Sequence, residues 1–253
     1  MCFGTRKTGA NFDIDDAKPK KKASKKSAPP PAVPKPAAPK KEEETKIAAV
    51  QSPGPKVAIV IYSTYGHIAT LAEEVKKGIE EAGGSASLFQ VPETLPGEVL
   101  TKMGAPEKPA YPVITAAQLA TFDGYLMGIP TRFGTQPAQW RSFWDTTSGL
   151  WGSGALAGKY AGAFTSTAGL GGGQESTISS VLSTITHHGS IFVPLGYASA
   201  FPQLTNLSEV HGASPWGAGT VASADGSRQP SDLEKEIARI QGKSFWATMK
   251  KAF

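Results

Sequence analysis

The sequence predicts an α/β fold, a doubly wound parallel sheet of five strands with helices on both faces. Two observations carry this. From Lys56 onward, short apolar runs alternate with helical patterns. The runs are near-continuously apolar, as strands covered on both sides must be.

The first strand spans about 56–62. The next helix puts Ile68, Leu71, Ala72, Val75, Ile79 and Ala82 on one face at 3.6-residue spacing, and Gly83-Gly84 ends it. "ASLFQV" at 86–91 is a short second strand. A helical turn over Ala116–Phe122 leads into a third strand, Gly124 to Pro130. Trp140, Phe143 and Trp144 share one face of the next helix, the pattern of a core or interface rather than a cofactor box. The fourth strand is 159–167, a helix follows from near Gln174 to His188, and "SIFVPLG" is the fifth strand. The last helix starts at an Ser231 N-cap with Glu234 in the capping-box position and runs to about Met249. The irregular stretch from Gly196 to Pro230 is long for a compact domain, which suits an active-site cover or a subunit contact.

Residues 1–55 read as a disordered tail rich in Lys, Pro and Ala, and 56–253 as the folded domain. Charge divides the same way. Residues 1–50 hold 12 Lys and Arg against 6 Asp and Glu, while the remainder holds 14 against 15. The folded part is thus not basic, and nucleic-acid binding is not expected. The lone cysteine, Cys2, excludes a disulfide framework and a cysteine metal site, and no metal is expected. No apolar run approaches the ~18 residues of a membrane span, and no secretory h-region precedes the tail. A cytoplasmic protein is the expectation. Cys2 beside Phe3 is also a lipidation candidate. With Lys18, Lys20, Lys21, Lys22, Lys25 and Lys26 it could hold the chain at the cytoplasmic face of the plasma membrane; the plain alternative is a solvated tail.

Ligands of open parallel sheets bind beyond the carboxyl ends of the strands. That rule selects three loops. The first, Ser63-Thr64-Tyr65-Gly66-His67-Ile68, joins hydroxyls to a helix N-terminus and suits a phosphate without a lysine, although an ordinary N-cap would read the same. The second, "GIPTRFGTQP", offers the Thr131 hydroxyl and the Phe133 ring, with Arg132 as a ligand contact or a surface charge. The third, "TSTAGLGGGQES", closes the fourth strand with Ser166 and Thr167 and continues into glycines that can fold over a ligand. A G-x-G-x-x-G fingerprint after the first strand is absent, which argues against a dinucleotide-binding Rossmann dehydrogenase. Together the loops suit a planar ring with a phosphate tail, and FMN in a flavodoxin-like fold is the simplest such ligand.

"YSTYGHI", "VPET", "GIPTRFGTQ", "SGLWGSGALAGK", "GGGQESTI", "HHG", "VPLGYA" and "DGSRQPS" occur in this order over about 56–249. The sequence therefore resembles the WrbA-type NAD(P)H:quinone oxidoreductases of the flavodoxin-like superfamily; the tail falls outside the resemblance and looks like a fungal elaboration. The resemblance implies strand order 2-1-3-4-5, bound FMN, NAD(P)H and quinones as substrates, and a homotetramer whose sites are shared between subunits. Carried over by motif, Ser63, Thr64, Tyr65, Gly66, His67 and Ile68 cradle the phosphate. Thr131, Arg132 and Phe133 contact the flavin ring. Ser166, Thr167, Ala168, Gly169 and Gly171 wrap its other side. His187 matches a flavin-contacting histidine, or is a helix C-cap. Tyr65 also matches a nicotinamide contact. Trp151 matches a substrate-side aromatic, with oligomer packing as the alternative, and Tyr197 would join Phe133 over the ring. A purely structural role is the alternative for His67 and His188. The chemistry implied is ping-pong, two-electron quinone reduction that protects against quinone and oxidative stress. The alternative is an FMN-binding membrane-surface scaffold or electron carrier with little turnover.

Overall fold

A computed structural model describes residues 54–253; the expected tail, Cys2 included, lies outside the described residues except for Gly54 and Pro55. The first strand, β1 (Val57–Ile61), is buried along its whole length because a strand pairs with it on each side and helices cover both faces. It leads through the Ser63–Gly66 turn into α1 (His67–Glu81), whose apolar face is the predicted one. Next come β2 (Ala86–Gln90), α2 (Gly97–Lys102), α3 (Ala116–Leu119) and β3 (Gly124–Pro130). Then follow α4 (Ala138–Asp145), α5 (Ser148–Ser153), β4 (Tyr160–Thr167), α6 (Gln174–His187) and β5 (Ile191–Phe192). The chain closes with α7 (Phe201–Leu204), β6 (Gly219–Val221) and α8 (Asp232–Met249). The described residues all fall in one compact unit.

The sheet is parallel with order β2-β1-β3-β4-β5, as expected. It holds one strand more than the predicted five. The expected strand over "SIFVPLG" is cut to Ile191 and Phe192, paired with Tyr160 and Ala161 at the start of β4. Pro194 has no N–H to continue the ladder, and Gly196 turns the chain away at φ 64°. The chain returns only at β6, which pairs Thr165, Ser166 and Thr167 at the end of β4. One edge position is thus shared by two short strands, and the excursion between them takes up most of the long irregular stretch.

Each face of the sheet has its own core. Val57, Ile59 and Ile61 point to the side covered by α1 and α8. Ala58, Val60 and Tyr62 point to the side covered by α3, α4 and α6. The α4 aromatics belong to this second core: Trp140 donates to the Gly128 carbonyl at 3.0 Å and Trp144 to Gln136 Oε1 at 3.1 Å, so both indole N–H groups are satisfied. The α1–α8 contact is backbone-close, since a Cβ on Gly242 would stand 2.1 Å from the Val75 carbonyl oxygen.

Candidate functional site

The carboxyl ends of β1, β3 and β4 open into a cleft of about 410 Å³, the volume class of small-molecule sites. The three predicted loops converge there. Ser63, Thr64, Tyr65, His67 and Ile68 line it from the first, Pro130, Thr131 and Arg132 from the second, and Ser166, Thr167 and Ala168 from the third.

The first loop is folded by its own sequence. Ser63 Oγ accepts the Gly66 N–H at 3.1 Å, and Gly66 sits at φ 92°, where a side chain would be strained. No side chain caps α1 and no acidic residue stands in its first turn. Among the described residues, the His67 and Ile68 amides find no protein acceptor. The helix dipole therefore faces the cleft uncompensated, which favours an anion. His67 is buried, and its Nε2 lies 2.8 Å from the Arg228 carbonyl. A carbonyl can only accept, so Nε2 carries the proton.

Hydrogen bonds tie the loops together. Arg132 donates to the Thr131 carbonyl at 2.9 Å and to the Thr64 hydroxyl at 3.4 Å; it is a cleft residue, and among the described residues it has no carboxylate partner. The Thr131 amide donates to the Ser166 carbonyl at 2.9 Å. The Thr131 oxygen accepts from the Gly134 amide at 3.1 Å. The single Thr177 hydroxyl proton goes to the Gly173 carbonyl at 2.6 Å, so Thr131 donates its own proton to the Thr177 oxygen at 2.8 Å. The second and third loops touch backbone to backbone, since a Cβ on Gly173 would meet Gly134 Cα at 2.8 Å.

Behind the first loop stands Glu93. It accepts from the Tyr62 hydroxyl at 3.1 Å and from Gln139 at 3.0 Å, and it pairs with Lys108. Burial pushes its carboxyl upward, but the Lys108 ammonium and the Leu95 and Thr94 amides outweigh that and hold it near 2. Burial, the largest cause, and the Glu93 charge push the Tyr62 phenol to about 12 against an opposing Thr64 hydrogen bond. Tyr62 thus stays a fixed donor, anchoring the base of the first loop.

Other predicted site residues lie outside the cleft. Gly169 and Gly171 line a neighbouring cavity of about 390 Å³ with Gln174 and His211. Phe133 is 103% exposed, and Trp151 and Tyr197 are also exposed. Phe133 occupies a two-residue hairpin turn at φ 54°, closed by Arg132–Thr135 bonds of 2.8 and 3.0 Å, so the ring is held out on a stiff support. His187 ends α6 near the start of β5, which pairs the start of β4, so within one chain it sits at the opposite end of the sheet. His188, by contrast, is buried, with Nε2 2.9 Å from the Thr147 hydroxyl.

The cleft also has a wall the loop rule did not select. Ala222, Ser223, Ala224, Asp225 and Gly226 follow β6 and close it, and Met103 reaches it after α2. Tyr65 donates its hydroxyl to the Met103 carbonyl at 3.2 Å. The signal for this wall was the "DGSRQPS" motif inside the long irregular stretch, to which no local role could be given.

The sequence pattern of the NADPH-dependent FMN reductase family matches residues 55–203. The chain belongs to that family. It is 65% identical over 197 residues to the NAD(P)H quinone oxidoreductase PST3 of Candida albicans, covering 78% of this chain and 99% of that one. It is 59% identical over 197 residues to Protoplast secreted protein 2 of Saccharomyces cerevisiae, with the same coverage of 78% and 99%. Among solved structures, the WrbA-like flavodoxin protein of Agrobacterium tumefaciens shares the fold, with a TM-score of 0.54 at 23% identity over 78% of this chain and 99% of that one. The WrbA-type resemblance is borne out. The residues present fit the cofactor of such a family: free amides and two hydroxyls form an anion end, and the remaining cleft is a slot between three loops.

Proposed function

We propose that this chain is an FMN-dependent NAD(P)H:quinone oxidoreductase. Overall, NAD(P)H, a quinone and a proton give NAD(P)⁺ and the hydroquinone. The observation that carries the reading is the uncapped N-terminus of α1, opening into the cleft with its amides free. Bound FMN supplies a ring able to take two electrons from the nicotinamide and return them to the quinone. The protein holds and orients. The Ser63 and Thr64 hydroxyls and the His67 and Ile68 amides hold the phosphate, and no lysine is needed because no phosphoryl group is transferred. Thr131, Arg132, Ser166, Thr167 and Ala168 hold the ring. Tyr65, at the mouth, is the nicotinamide-side contact.

The rest of the reading needs neighbouring copies. Phe133, Trp151 and Tyr197 are large rings left in water by the single chain, which supports a homotetramer with shared sites. A flavin contact by His187 requires a second copy, given its place at the far end of the sheet. Both substrates use one face of the ring in turn, so kinetics are ping-pong. Two-electron delivery serves protection against quinone and oxidative stress. The protein works in the cytoplasm; acylated Cys2 and the Lys18–Lys26 cluster hold part of it at the anionic leaflet of the plasma membrane. Cys2→Ser leaving membrane fractionation unchanged would remove that last element.

Steady-state rates with NADPH and benzoquinone test the central reading. Parallel double-reciprocal lines are expected. Intersecting lines would exclude a shared face, and turnover no faster than free FMN would favour the scaffold or electron carrier instead.

A further inference from the structure

Glu234 has no atom in the cleft, yet the cleft's missed wall hangs from it. Its side chain is 0% exposed. Oε1 accepts from the Gly212 amide at 2.8 Å and the Val221 amide at 3.0 Å. Oε2 accepts from the Thr220 hydroxyl at 2.7 Å and the Ser231 amide at 2.8 Å. Arg228 Nη1 donates to both oxygens, at 3.0 and 2.9 Å. An ordinary capping box uses one donor of this set, the Ser231 amide.

The rest of the set converges on the wall. Thr220 and Val221 end β6, from which the wall starts. The Arg228 amide donates to the Ala222 carbonyl at 3.1 Å, closing the turn that contains the wall. Within that turn Ser223 is held at φ 67°, a conformation that persists only where surroundings impose it. The Arg228 carbonyl then accepts from His67 Nε2 at 2.8 Å, at the first residue of α1. One buried carboxylate, through one arginine, thus fixes both the turn facing the anion end and the orientation of the imidazole beside it.

We propose that Glu234 is a positioning residue for the cofactor phosphate, acting through Arg228 on the 222–226 wall and on His67. The inference rests on the proposed FMN site. It predicts the larger effect at the phosphate end, because Thr131 and Arg132 take no bond from this network and Thr167 is met through the backbone, its carbonyl accepting from the Ala222 amide at 2.8 Å.

The test compares FMN with riboflavin, which has the ring but no phosphate. Full-length protein is stripped of flavin, and both ligands are titrated against wild type, Glu234→Gln, Thr220→Val and Ile237→Val, following flavin fluorescence and thermal melting. Ile237 is a core residue of α8 outside the network and serves as the stability control. Glu234→Gln should weaken FMN on the order of tenfold, as loss of charge-assisted bonds does, while riboflavin changes about twofold or less. Thr220→Val removes one donor to Oε2 in a milder variant and should shift FMN the same way by a smaller factor. Equal weakening of both ligands, or a matching loss in Ile237→Val at the same melting shift, would reduce Glu234 to a fold residue and overturn the proposal. So would unchanged FMN binding in Thr220→Val and Glu234→Gln. Wild type that binds no flavin would instead remove the FMN site itself, and the inference with it.

Discussion

Two carboxylates stand behind opposite walls of the cleft, and they are built differently. Glu93, behind the Ser63–Ile68 loop, is partly exposed and shares its charge with a flexible lysine. Glu234, behind the 222–226 wall, is fully enclosed and meets the fixed fork of an arginine. The first wall needs little from its carboxylate, because a strand, a glycine turn and a helix already place Ser63 and Thr64. The second wall has no regular structure of its own, so a buried charge supplies the order. Local elements and remote networks thus hold two sides of one site.

Removing the carboxylates should separate the two walls most sharply. Glu234→Ala leaves Arg228 and several amides without their acceptor and should cost about 3–5 kcal/mol of unfolding free energy in urea. A loss below about 1 kcal/mol would mean that the network orders nothing. Gly66→Val strikes the other wall. A Cβ there meets nothing within 4 Å, so the penalty is the backbone strain of φ 92°, about 1–2 kcal/mol, without packing loss. Ser63→Ala should cost about 1 kcal/mol or less by the same measurement while weakening FMN more than riboflavin.

Acid distinguishes the walls in another way. Glu93 is held near 2 against an ordinary 4.5, so its contribution is complete above pH 4.5 and fades as pH falls toward 2. The stability gap between wild type and Glu93→Gln, measured in urea across that window, should close as pH falls. A gap independent of pH would contradict the Glu93 contacts. Phe133→Ala should have the smallest effect on stability, within about 0.5 kcal/mol, because its ring buries nothing in the single chain. Its consequence should appear in quinone kcat/KM, and an unchanged value would remove Phe133 from the substrate site.

The same contrast explains what the sequence made legible. The succession of strands and helices and the three loops followed from local periodicity and the rule for ligands of parallel sheets, and the strand order from the family resemblance. Ser63, Thr131 and Ser166 each lie at the end of a readable strand. The divided edge strand was not legible, because "SIFVPLG" is as apolar as a full strand and only its pairing shows where Pro194 stops the ladder. The 222–226 wall was not legible either. Its place depends on Glu234 and Arg228, whose partners range from Val210 to Ser231, and a capping-box reading of Ser231 and Glu234 was correct yet used only one of those bonds. His67 gained a role only through the Arg228 carbonyl, a contact across 161 positions of sequence. The exposed Phe133, Trp151 and Tyr197 were legible as aromatic signals, but a single chain leaves Phe133 fully in water, Trp151 largely so, and gives Tyr197 only the edge of Phe201 at 6.0 Å.

The most direct measurement is an anaerobic titration of purified protein, read in the flavin absorbance bands. The account predicts one FMN per chain, bands that bleach on adding NAD(P)H, and their return on adding benzoquinone with hydroquinone formed in equal amount to the NAD(P)H consumed. Protein that binds no flavin, or bound flavin that NAD(P)H leaves unbleached, would contradict it.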